Sequence, residues 1–143
     1  MKHLLLALAL FAGAAAAQTD LRFNEFYRLP IGPKGLEPSR KLLALEGQPV
    51  RLVGYRVPVA DAPPGLLILS PLPVSLGDED ESFADDLPAS AVYVHLPEAA
   101  AAALPPSGLL SVSGRLQLGA QREPDGRFSF VRLVLENSDV APR

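Results

Sequence analysis

At 143 residues, with 48% hydrophobic and 20% charged residues, the chain has room for one small domain and too much apolar content to be disordered. The absence of cysteine excludes disulfides, thiolate metal sites, cysteine nucleophiles and acylated-cysteine anchoring. Fifteen prolines argue against a helix bundle, and a net charge of -3 argues against general nucleic-acid binding.

Met1 to Ala17 reads as a cleaved secretory signal peptide. Lys2 and His3 form a polar start, Leu4 to Ala12 an apolar core, and Ala15-Ala16-Ala17 an A-x-A cleavage site before Gln18. An apolar run of this length is too short to cross a bilayer, which takes roughly twenty residues. The remaining chain is expected in the periplasm or secreted, without a membrane anchor, held together by its core alone.

Residues 18–46 read as an N-terminal arm with short helical turns. Thr19 to Arg28 is expected to be a short amphipathic helix or simply an arm, and Leu29 to Pro38 is irregular because of its Gly and Pro residues. Ser39 is placed to cap a helical turn carrying Leu42, Leu43 and Leu45. The spacing then changes to a period of two. Val50 to Val57 shares one face at Val50 and Leu52 and another at Tyr55 and Val57, a parity slip that predicts a glycine bulge at Gly54. Leu66 to Leu69 is a fully apolar strand. In Ala91 to Leu96, Val92, Val94 and Leu96 face one side and Tyr93 and His95 the other.

Pro97-Glu98 followed by five alanines predicts one or two helical turns, closed by Pro105-Pro106. Leu110, Val112, Leu116 and Leu118 alternate with polar residues, with Gly114 inside the apolar row. Pro124-Asp125-Gly126 is a turn joining this strand to Arg127 through Leu135. The expected fold is mainly β, a five-stranded OB-like barrel over residues 47–143 with a short helix between strands 3 and 4.

The connection from Ser70 to Ser90 is long for a compact domain. Six of the chain's sixteen acids fall within nine of its residues, as Asp78, Glu79, Asp80, Glu81, Asp85 and Asp86. No lysine or arginine lies between Arg56 and Arg115, so this middle segment forms a negative pole that attracts cations or a basic partner surface. The acids, with Phe83 and the flanking Leu76 and Leu87 as apolar anchors, are the expected partner- or cation-binding residues. Calcium is the first candidate ion because it takes six to eight oxygens on a flexible loop, although the spacing misses the twelve-residue calcium-loop pattern. The bland alternative is a solvated loop that also pairs with arginines on the strands: Arg51, Arg56, Arg115, Arg127 and Arg132.

His95 is the one histidine beyond the leader, and its expected role is structural. No GxSxG, HExxH, phosphate-loop or GxGxxG pattern occurs, so neither a catalytic residue nor an obligatory cofactor is assigned and an enzyme is not expected.

The run Leu45-Glu46-Gly47-Gln48-Pro49-Val50-Arg51-Leu52-Val53-Gly54-Tyr55-Arg56-Val57-Pro58 resembles the L-x-G-x-x-V-R-[IL]-x-G-Y-x-V-P opening of the DUF3299-like family of exported bacterial proteins. The resemblance implies an OB-like barrel found with ABC-type transport systems, some linked to metal uptake. Family members carry a Cys-x-His, proline-rich segment after the second strand. Here that place holds Ser70-Pro71-Leu72-Pro73-Val74, so no thiolate or imidazole metal role carries over. The resulting expectation is a non-enzymatic periplasmic binding or adaptor module accessory to an ABC-type transporter component. The alternative is a calcium-binding protein using residues 78–86.

Overall fold

Among the described residues, short segments of alternating apolar and polar residues assemble into a mainly β structure with one seven-stranded mixed sheet and two short α-helices. The computed structural model describes residues 18–74, 87–135 and 140–143. The residues expected to form the leader and the acidic run therefore lie outside the described residues, including Asp78, Glu79, Asp80, Glu81, Phe83, Asp85 and Asp86.

The strands are β1 (Thr19–Leu21), β2 (Pro49–Arg56), β3 (Leu66–Ser70), β4 (Val92–His95), β5 (Gly108–Arg122), β6 (Phe128–Val134) and β7 (Val140–Pro142). The helices are α1 (Arg40–Ala44) and α2 (Glu98–Ala102). The sheet runs in the order β1-β2-β3-β4-β6-β5-β7, and β2 also pairs with β5 over its whole length, from Pro49 opposite Arg115 to Arg56 opposite Gly108. β1 with β2 and β4 with β6 are parallel, and the remaining pairs are antiparallel.

One face of each long strand meets in a single core. Val50 and Leu52 from β2, Val92 and Val94 from β4, Leu110, Val112 and Leu116 from β5, and Val131 and Leu133 from β6 are all buried there, as is Leu42 of α1. Removing this much aliphatic surface from water is the main driving force for the fold. β3 is buried on both faces, since Leu67 and Leu69 join this core while Leu66 and Ile68 join a second cluster with Val57 and Tyr93. Val74 and Leu87, at either end of the undescribed 75–86 stretch, pack against that second cluster. Leu87 is thus engaged within the molecule itself.

Three local expectations hold. Ser39 caps α1, its hydroxyl accepting from Leu42 N at 3.0 Å. Glu98 lies in the first turn of α2. Gly126 closes the β5–β6 turn at φ +89°, with its amide donating to Glu123 O at 2.9 Å.

Two expectations are corrected. Thr19 to Arg28 is neither a helix nor a free arm: Thr19–Leu21 adds to the sheet beside Val50–Leu52, and a single 3-10 turn follows at Phe23–Glu25. With β7 this makes seven strands instead of five; three-residue strands are too short to show an alternating pattern. Gly54 is not a bulge either, because β2 and β5 stay in unbroken register through it. A Cβ at Gly54 would stand 2.7 Å from the ring of Phe23, so the glycine is there to admit an aromatic ring. The apparent slip at Val57 arises because that residue leaves the strand and joins the second cluster.

Candidate functional site

The outward side chains of β4 meet the turn that joins β5 to β6. Tyr93 and His95 alternate away from the core residues Val92 and Val94, and the hairpin folds over them. Tyr93 donates its hydroxyl to Asp125 Oδ2 at 2.9 Å, and His95 Nε2 lies 2.9 Å from Glu123 Oε2. Glu123 is fully buried by its side chain, whereas His95 keeps 31% of its side chain exposed.

A chain of polar contacts runs inward from this point. The Ser129 hydroxyl donates to Glu123 Oε1 and accepts from Arg132 Nη1 at 2.9 Å, bridging a buried anion and a buried cation. Arg132 also donates to Gly119 O at 2.7 Å. That carbonyl sits at the irregularity in the β5–β6 ladder between Leu118 and Gln121, where the regular pairing lapses. Arg132 therefore satisfies a backbone acceptor that the sheet leaves over. His95 Nε2, Glu123 Oε2 and Arg132 Nε lack an aligned hydrogen bond. The His95–Glu123 contact is thus an ion-pair-range approach off the ideal hydrogen-bond direction.

The order of these groups decides their chemistry. A nucleophilic triad needs the imidazole between hydroxyl and carboxylate. Here the carboxylate of Glu123 stands between His95 and Ser129, and the serine proton is directed to the carboxylate. The arrangement fastens the base of the hairpin to β4.

Asp125, at the tip of the turn, is nearly buried and accepts three times: Arg127 N and Arg127 Nη1 at 2.9 and 3.3 Å, and the Tyr93 hydroxyl. Burial pushes the Tyr93 hydroxyl well above the usual tyrosine range, and the hydrogen bond to Asp125 adds to the effect. Asp125 also borders a cavity of about 290 Å³. Its walls are mostly aliphatic and proline side chains from β3 and the segment just after β2, including Val57, Pro63, Leu66 and Ile68, together with Pro106. Arg56 supplies the second charge at its edge. It is held in place by donating to Pro105 O at 2.6 Å, and burial lowers its pKa from the ordinary guanidinium value.

Among the described residues, each strand arginine has a partner of its own, while the acidic run with which they were expected to pair lies outside the described residues. Arg51 pairs with Asp20, Arg56 with Pro105 O, Arg115 with Gly47 O, Arg127 with Asp125, and Arg132 with Ser129 and Gly119 O. Sequence reasoning placed His95 correctly on the outer face of its strand, but missed Glu123, Ser129 and Asp125 as its neighbourhood. Among the described residues, no three His, Cys, Asp or Glu side chains form a metal-holding group, and no helix is long and apolar enough to cross a membrane.

The fold has a counterpart among solved structures: a DUF3299 family protein from Pseudomonas aeruginosa PAO1 superposes with a TM-score of 0.52 at 15% identity, covering 89% of this chain and 97% of that one. The likeness extends to the fold alone. No protein-family model matches the chain, and no curated protein matches it.

Proposed function

We propose that the chain is a non-enzymatic binding or adaptor module of the DUF3299-like type, serving an envelope partner such as an ABC-type transporter component in the periplasm. The motif from Leu45 to Pro58 and the fold shared with a DUF3299 family protein support the family reading. The OB-like barrel is supported by the pairing of β2 with both β3 and β5, which links β2, β3, β4, β6 and β5 and returns to β2.

The cavity between β3, the segment after β2 and Asp125 carries the binding reading. Its apolar walls favour an inserted apolar group, while Arg56 and Asp125, of opposite charge, orient whatever polar group flanks it. An inserted side chain of a partner protein meets these demands, and the hairpin anchored through Glu123 gives the cavity a fixed edge.

Photo-cross-linking in the cell of origin tests this. A photoreactive residue at Ala62, an exposed position bordering the cavity, is expected to give one discrete adduct containing a transporter component. The same residue at Lys34, away from the cavity, is expected to give none. Identical adduct patterns from both positions, or none from Ala62, would overturn the proposal.

The acid-rich run from Asp78 to Asp86 favours a second reading, a divalent-cation binder. It requires that calcium raise the melting temperature and that magnesium, which demands tighter octahedral geometry, reproduce the rise poorly.

A further inference from the structure

A second cleft, of about 540 Å³, lies apart from the cavity described above and has the opposite character. It is bordered by Arg22 after β1, Arg51 on β2 and Arg143 after β7, with Asp20 and Asn24 as further polar groups and Phe23 among its apolar lining. We propose that this cleft binds a small multiply charged oxyanion, phosphoryl or carboxylate, with Arg22, Arg51 and Arg143 as its cationic ligands.

Among the described residues, the side chains bordering the cleft include three guanidiniums and one carboxylate, a positive surplus in a protein whose net charge is negative. The backbone fixes where each arginine emerges. Arg51 is paired through β2, Arg22 directly follows Leu21, which pairs with Leu52, and the Arg143 amide donates to Leu109 O at 2.9 Å. Asp20 uses only the Nε edge of Arg51, at 2.7 Å. The hydrogen bond from Arg51 holds the Asp20 carboxyl below its ordinary range, and the charges of Arg51, Arg22 and Arg143 act in the same direction. All three cations thus act at one place where an anion already sits. Guanidinium forks match the paired oxygens of phosphate and carboxylate, and charge-assisted hydrogen bonds of this kind are the strong ones. The single lining carboxylate among the described residues, Asp20, leaves guanidinium donors for the oxygens of an added oxyanion.

Backbone amide shifts, followed while inorganic phosphate and separately citrate are added at ionic strength held constant with sodium chloride, test the site. Saturable shifts are expected at Leu21 to Asn24 and at Arg51 to Val53, and the tighter of the two probes distinguishes a phosphoryl from a carboxylate ligand. The double variant Arg22→Gln/Arg143→Gln alters exposed side chains, so its melting temperature is expected to stay put while binding weakens about tenfold or more. Asp20→Asn, which removes the competing anion, is expected to tighten binding. Shifts that never saturate with either probe, or a double variant that binds like the unaltered protein, would overturn the proposal.

Discussion

The two places where charges gather in this protein solve opposite problems. At the β5–β6 hairpin, Glu123 and Arg132 are both buried, joined through the Ser129 hydroxyl and flanked by His95. At the cleft beside β1, Asp20 and Arg51 meet at 2.7 Å in the open, with 67% and 45% of their side chains exposed. The exposed contact is short, yet water competes for both partners and a pair of this kind contributes little to stability. The buried network has no such competitor, so each of its members depends on the others. The lesson is that proximity alone does not measure a charge pair. The exposed cluster is free to exchange its partner for a ligand, and the buried cluster is committed to the fold.

Breaking the buried side is expected to produce the largest effect. Glu123→Ala strips Ser129 of its acceptor and His95 of its neighbouring carboxylate, and removes the anion that Ser129 bridges to the buried Arg132, at a cost of about 3 kcal/mol in denaturant unfolding. Ser129→Ala keeps both charges but removes the bridge, and about 2 kcal/mol is expected by the same measurement. Tyr93→Phe forfeits the hydrogen bond to Asp125, about 1 kcal/mol at neutral pH.

Tyr93 also sharpens the comparison through pH. Its folded pKa is raised above the ordinary value of 10.0, chiefly by burial, so the stability it contributes is fully present below pH 10.0. That contribution is lost as pH rises through the folded value, because the unfolded chain releases the proton first. Stability followed from pH 9 upward is therefore expected to fall more steeply for the unaltered protein than for Tyr93→Phe. At the small end stands Asp20→Asn, for which the denaturation midpoint is expected to be unchanged; a shift comparable to that of Ser129→Ala would erase the contrast between the two regions.

Much of the frame was legible from residue patterns. Val92 and Val94 opposite Tyr93 and His95, Ser39 before the leucines of α1, and Pro124-Asp125-Gly126 between β5 and β6 each declare themselves within a few residues, where local sterics and periodicity act. What the pattern hid depends on residues far apart in the chain. Gly54 looked like a bulge because the ring it accommodates, Phe23, comes from the N-terminal segment. Glu123 looked like an ordinary hairpin acid, since nothing beside it announces that His95 will approach from β4. Arg132 looked like a solvated strand residue, yet it lies opposite the buried Tyr93 and donates to Gly119 O at the irregular ladder between Leu118 and Gln121. The cavity was invisible for the same reason: β3, the turn at Asp125 and Pro106 converge there from three separate stretches.

The most direct test of the binding role given to that cavity needs no knowledge of the partner. A library of small apolar fragments titrated into the labelled protein, followed by backbone amide shifts, is expected to concentrate its hits on residues 57–68 and Asp125, and filling the cavity with Ala62→Trp is expected to abolish them. Hits scattered over the surface, or hits that persist in Ala62→Trp, would contradict the account.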